Sequence, residues 1–439
     1  MTWKIALVFL WLFWGVCLVG AEEPKPIKVV MPNGMTLIVL ERTGLPIVSL
    51  GTMVKAGSID DPMNQSGLAN ITASLLETGT AKRNAVQIAD AVDFIGADLS
   101  VQAEEDYTTA GIKVLKKEVE TGFDLLSDML MYPVFDPNEI SRSKKGIMGE
   151  ILAQKDDPMT IASRAFYPLI FSGHPYGYPV IGREETLPNI TRNDITAFHK
   201  NFYRPNNTLL AVVGDITLSE AKKLAKKYFG KWASQKVSLP TFALPEPITQ
   251  TKTQLIEKDL AQTSVLMGHV GIRRSNPDYY AVVVMNYILG GGGFSSRMMT
   301  DIRDNKGLVY SIYSNFDANK ESGSFTVSLQ TKSADEAIPS VVTAIKKMRE
   351  EQVSEQELSE TQSYLTGSFP LRLDTTDKLV RLLLQLEYHR LGFDYFKRYP
   401  EYINRVTWGD VLRVAQKYLH PDRTVFVIVG KKGGGYMEK

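Results

Sequence analysis

The chain has 439 residues, 44% of them hydrophobic and 23% charged, an ordinary globular composition with enough length for two or more domains. Its 50 basic residues against 49 acidic ones leave no charge excess of the kind that binds nucleic acid. The single cysteine, Cys17, falls within the first 21 residues, so a chain processed after them has no disulfide or thiol chemistry.

Residues 1–21 read as a signal peptide: Lys4 gives a positive start, a short apolar run follows, and Val19-Gly20-Ala21 offers small residues for cleavage before Glu22. The alternative is an uncleaved anchor, for which the apolar run is short of the roughly 20 residues a span needs. The expectation is an exported chain, periplasmic or secreted, with no stable membrane anchor after cleavage. Residues 27–39 and 48–55 alternate as strands do, with Pro32-Asn33-Gly34 as a hairpin turn. Residues 66–80, SGLANITASLLETGT, predict a helix with Ser66 as N-cap and Gly79 just past its end. Leu68, Ile71, Leu75 and Leu76 give it one apolar face. Asn70 and Ser74 share another, at the spacing where a metal-binding helix carries two ligands.

The pattern then predicts a helix over 86–95, two short strands over 98–114 and an amphipathic helix over 117–132. A long helix starts at Asp136-Pro137 and runs past Glu150, Pro137 suiting its first turn. A helix over 191–202 and a buried strand over 208–213 close the first half. Residues 236–253, with Pro240, Pro245 and Pro247, read as an extended linker.

After the linker the pattern begins again. TRNDITAFHKNFYRPNNTLLAVVG from Thr191 aligns without a gap with TWGDVLRVAQKYLHPDRTVFVIVG from Thr407, an offset of 407 − 191 = 216. VFDPNEI and VSEQEL pair Glu139 with Glu357 at an offset of 357 − 139 = 218. Two matches at nearly one offset indicate duplication, and a period this long is not a solenoid. The fold class is therefore α+β: two homologous domains, each a mainly antiparallel sheet with helices packed on it. The expected boundaries are 22–235 and 254–439, joined by the linker.

The run from Lys55-Ala56-Gly57-Ser58 through Gly67-Leu68-Ala69 to Thr78-Gly79-Thr80 resembles the zinc helix of the pitrilysin (insulinase-like) metallopeptidases, the family that includes the mitochondrial processing peptidase. That family's helix carries His-x-x-Glu-His. Here the three positions hold Asn70, Ala73 and Ser74, and none of the five histidines forms such a motif. The resemblance places a third, glutamate ligand at Glu150, since 150 − 74 = 76. One carboxylate beside an amide and a hydroxyl is a poor zinc site, and Glu150 equally reads as a helix-surface carboxylate or an ion-pair partner. The resemblance also implies two halves facing each other across a cleft.

Gly290–Gly293 could expose backbone N–H groups to a phosphate, but no Gly-Lys-Ser/Thr and no strand-GxGxxG-helix order accompanies it. It reads instead as a tight or mobile lead-in to a helix. Beyond it, Arg303, Gly307-Leu308 and Tyr310 match the family's arginine–tyrosine pair, whose side chains reach the bound peptide. An arginine supplies a planar donor fork for carbonyls or a carboxylate, and a tyrosine hydroxyl can steady developing negative charge. Unaided by the resemblance, Arg303 would be paired with Asp301, Asp304 or another acid, and Tyr310 packed at a strand start. His174, in SGHPYGYP, reads as a loop histidine holding a turn.

The resemblance implies a non-zinc partner subunit of an exported heterodimeric metallopeptidase. It would bind peptide or unfolded protein through Arg303 and Tyr310, and a sister chain would hold the zinc. A stand-alone peptide-binding or scaffold protein is the alternative. A self-sufficient hydrolase using Ser66, Ser74 or Ser295 has no nucleophile motif behind it.

Overall fold

The computed structural model describes residues 25–238 and 240–431; the expected signal peptide, with Cys17, lies outside them. The first half forms a six-stranded sheet from β1 (Ile27–Val30), β2 (Thr36–Glu41), β3 (Ile47–Val54), β4 (Asp98–Ala103), β5 (Thr108–Leu115) and β6 (Thr208–Gly214), in the order β1-β2-β6-β3-β5-β4. The second forms a five-stranded sheet from β7 (Lys252–Glu257), β8 (Thr263–Val270), β9 (Val309–Phe316), β10 (Ser324–Thr331) and β11 (Val425–Gly430), in the order β7-β11-β8-β10-β9. Only β2 with β6, and β7 with β11, pair in parallel. Both sheets are thus mainly antiparallel. Corresponding strands β2 and β7, β3 and β8, and β5 and β10 start at one offset, 252 − 36 = 263 − 47 = 324 − 108 = 216. The duplication read from two short matches extends through the sheets. β7 begins at Lys252, so the linker stops two residues short of its expected end because β11 captures the chain there.

The helices of the first half are α1 (Leu68–Ser74), α2 (Ala85–Phe94), α3 (Val119–Met131), α4 (Pro137–Ala153), α5 (Pro158–Ile170), α6 (Arg192–Phe202) and α7 (Leu218–Phe229). Those of the second are α8 (Tyr279–Asn286), α9 (Ala334–Glu350), α10 (Glu355–Gly367), α11 (Thr376–Tyr388), α12 (Tyr395–Asn404) and α13 (Trp408–Tyr418). No helix of the described residues is long and apolar enough to cross a membrane. The residues that recur in the duplication include helix caps. Thr191 and Asp194 form a reciprocal capping box on α6, and Thr407 and Asp410 repeat it on α13.

Each half covers one face of its sheet with its own helices, and the opposite face takes a helix from the other half. Leu379, Val380, Leu383 and Leu384 of α11 pack on Ile38, Met53, Leu209, Ala211 and Val213 of the first sheet. Ala162, Phe166 and Ile170 of α5 pack on Leu266, Val425, Val427 and Val429 of the second. This reciprocal covering explains why β6 and β11 are buried along their whole length, on both faces. The fit of α11 depends on Gly51 in β3, where a Cβ would lie 2.3 Å from Val380 Cγ1.

Candidate functional site

The helix that resembles a zinc helix starts later than its sequence suggests. Its N-cap is Gly67, in the left-handed region at φ 101°, where a Cβ would lie 2.9 Å from Gly182 Cα. Ser66 is not the cap; its hydroxyl donates to Pro179 O instead. The first turn is satisfied from a distance by Asp61, whose two oxygens accept from Gly67 N and Ala69 N, each at 2.8 Å. Burial pushes the Asp61 carboxyl well above its usual range, while those two N–H donors hold it down. Asp61→Ala would leave two enclosed N–H groups unpaired. It is expected to cost about 2–3 kcal/mol, read as a lower urea midpoint. An unchanged midpoint would remove Asp61 from that role.

Within α1 only Ser74 of the three motif positions is committed elsewhere. Ala73 is buried. The Ser74 hydroxyl lies 3.0 Å from Ile71 O and 2.9 Å from the Ser143 hydroxyl on α4. Asn70 is half-buried and makes no side-chain hydrogen bond among the described residues. Glu150 is exposed, accepts from Gln154 Nε2 at 3.3 Å, and sits two helical turns beyond Ser143, about 10 Å along the axis. Gln154 in turn accepts from Arg164 of α5 at 2.6 Å. That chain leads to a cavity of about 400 Å³ between the halves, lined also by Tyr167, Tyr176 and Asp317. Among the described residues no group of three metal-ligating side chains occurs. An amide, an alanine methyl and a hydroxyl already bonded twice do not fit a zinc ion.

The second position lies where the chain enters the edge strand β9. Gly290 and Gly291 fall in a wide helical turn, Tyr287–Gly291, that continues α8. A Cβ on Gly290 would meet the Ser314 hydroxyl at 2.5 Å, and one on Gly291 the Asn286 amide at 2.7 Å. Asn286 and Ser314 hydrogen-bond each other across this contact. Gly290 therefore lets the end of α8 approach β9 closely, while Gly291 closes the turn against Asn286, so the run makes a tight entry to the next turn. A second wide turn, Met299–Asn305, carries Arg303 at its end. Gly307, at φ 66°, closes it by donating to Arg303 O at 2.9 Å.

Tyr310 is the extra residue of a β-bulge. On β10, Thr331 pairs with Val309 and Gln330 with Ser311, leaving Tyr310 without a partner. Bulges re-aim a side chain, and Tyr310 is 71% exposed; it does not pack at the strand start. Arg303 makes a loose contact with Asp304 at 3.4 Å and lies 5.1 Å from the ring centre of Phe294, itself 71% exposed. Asp301 is taken by Lys306 at 2.8 Å. The structure thus presents Arg303 and Tyr310 on one short solvent-facing segment, with Phe294 beside them. Phe294 was not expected from sequence, although its place in the glycine run is the available signal.

This segment is tied to α10 by Arg297, whose guanidinium grips Glu357 through Nε at 2.7 Å and through a terminal nitrogen at 2.9 Å. Arg297 is the main reason the Glu357 carboxyl is held down at about 2. The folded value lies below the unfolded one, near 4.3. The pair therefore stabilises the fold above about pH 4, and that contribution is lost as the pH falls toward 2. Exposure limits its worth to about 1 kcal/mol. Arg297→Ala should flatten the acid-unfolding curve between about pH 4.5 and 2, and an unaltered curve would contradict the pairing.

Residues 37–184 match the family model described as insulinase (peptidase family M16), and residues 189–365 match that of the peptidase M16 inactive domain. The chain belongs to peptidase family M16. An uncharacterised zinc protease of Bacillus subtilis is 26% identical over 350 residues, 79% of this chain and 84% of its own length. One from Mycobacterium leprae is 29% identical over 313 residues, 70% of this chain and 69% of its own. A crystal structure of a peptidase M16 inactive domain from Pseudomonas fluorescens superposes with a TM-score of 0.87 at 27% identity, covering 93% of this chain and 98% of that one. A protease from Helicobacter pylori shares the fold, with a TM-score of 0.88 at 20% identity and coverage of 93% and 100%. In this M16 chain the helix is kept as a scaffold while its ligand positions are lost. It is a peptidase-like chain of the non-catalytic kind.

Proposed function

We propose that the chain is the non-zinc subunit of a two-chain M16 peptidase, exported to the periplasm or secreted. It holds the peptide with Arg303 and Tyr310, and a sister chain supplies zinc and the general base. The observation that carries this reading is the contrast between the two positions. Ser74 and Glu150 are engaged within the chain. Tyr310, turned out by its bulge, faces solvent, and Arg303, one-third exposed and in only a loose contact with Asp304, keeps donors to spare. The edge strand β9 adds a row of backbone groups to which an extended peptide can pair. A stand-alone peptide-binding or scaffold protein would use the same edge without a zinc-bearing partner.

The test is co-expression with a zinc-motif relative from the same source. Peptidase activity is expected only when the two chains are together, with zinc bound by the relative. Turnover by this chain alone, surviving purification, would overturn the proposal. Recovery of partners that all lack a zinc motif would favour the scaffold reading.

A further inference from the structure

Beneath the extended stretch between the two halves lies a second cavity, of about 910 Å³, roofed by Pro240 and Phe242. Neither Arg303 nor Tyr310 lines it, and the proposed peptidase role does not use it. Lys28 and Lys55 reach it from the first half, and Lys320 and Arg390 from the second. The carboxylates that share its wall already have partners. Glu387 is bound by Lys28. Asp106 accepts from the Tyr176 hydroxyl and from Lys320 N. Glu321 lies 3.5 Å from Lys320, and Asp60 accepts from Gly57 N at 3.1 Å. Lys55 and Arg390 have none: among the described residues, neither side chain makes a hydrogen bond or an ion pair. Burial is the main reason the Lys55 ammonium is pushed below its usual range. Glu387 opposes that shift, while Arg390, Lys28 and Lys320 add to it.

The backbone at Arg390 is a separate observation. It is one of two non-glycine residues with positive φ among the described residues, at 55°. It follows α11 in a turn where Leu391 N donates to Leu386 O at 2.9 Å, the helix-ending geometry that normally takes glycine. A cationic side chain is held at a position where glycine would be less strained, and it lines the same cavity as the unpaired Lys55.

We propose that this cavity is a binding site for a compact, multiply charged oxyanion of the phosphate class, held by Lys55 and Arg390, two cations of its wall whose charge no carboxylate takes up. Because these residues come from both halves, the bound anion clamps one half to the other. Tetrahedral oxyanions carry enough acceptors to meet an ammonium from one side and a guanidinium from the other.

The experiment is calorimetric titration of the purified chain with inorganic pyrophosphate, and separately with inorganic phosphate, against sodium chloride of matched ionic strength. Saturable binding near one equivalent is expected, tighter for pyrophosphate. Hydrogen-exchange protection should appear both around Lys55 and over residues 317–323. Arg390→Gly relieves the backbone and should leave the melting temperature of the free chain unchanged or higher, while weakening pyrophosphate binding at least ten-fold. Lys55→Met should weaken it similarly. Binding no stronger than the matched chloride effect, or Arg390→Gly binding as well as wild type, would overturn the site. Protection confined to one half would overturn the clamp.

Discussion

Tyr310→Phe in the two-chain enzyme is expected to lower kcat/KM by about ten-fold or more, with the folded stability of the chain untouched. The separation of the two effects follows from the bulge. Tyr310 has no ladder partner and is mostly exposed, so removing its hydroxyl disturbs no packing and leaves no buried group unpaired. Under the proposed function the variant loses a donor to the peptide carbonyl that gains negative charge, and single donors of that kind are worth about 10²–10³. Arg303→Ala should cost about 10- to 100-fold, the equivalent of one charge-assisted hydrogen bond of about 1.5–3 kcal/mol. The Arg303 contact with Asp304 is long and partly exposed, so that pair adds little to stability and the loss should again fall on activity. If both variants work at the wild-type rate in the complex, the two residues do not meet the substrate.

The second large effect is structural. Gly51→Ala should destabilise the chain by about 3 kcal/mol, because its Cβ would lie 2.3 Å from Val380 Cγ1 and neither β3 nor α11 can move freely. α11 is fixed on β3 from its first turn, where the Ser49 hydroxyl bonds Asp377 at 2.6 Å and lies 2.7 Å from the Thr376 hydroxyl. Val380→Ala removes the clashing carbon. The double variant should recover part of the loss, giving a favourable coupling of at least about 1 kcal/mol in urea unfolding. Strictly additive losses would show that Gly51 is not kept small for the helix of the other half.

The reciprocal covering also bears on how the halves can act. Each sheet lacks one of its covering layers unless the other half is present. The two homologous units are therefore packed into one body rather than strung as beads on a linker.

Much of this was legible in the amino-acid sequence. The offset of 216 residues came from short matches, and it holds because strands and caps need particular residues at particular places: Thr and Asp to close the first turns of α6 and α13, and apolar residues along β6 and β11. The loss of zinc chemistry was plain in three side chains, and Arg303 and Tyr310 stand close in the chain. The tertiary structure decided the rest. Asp61 caps α1 from outside the helix, displacing Ser66, because a carboxylate in a preceding loop can reach an N-terminus that no local pattern marks. Gly290, the first of the glycine run, serves close packing on Ser314 of β9, a residue more than twenty positions away. A hydrophobic strand announces that both its faces are covered, but not by what; only folding showed that α5 and α11 change places. The bulge that turns Tyr310 outward depends on the register of β10, and register is a property of two strands, not of one.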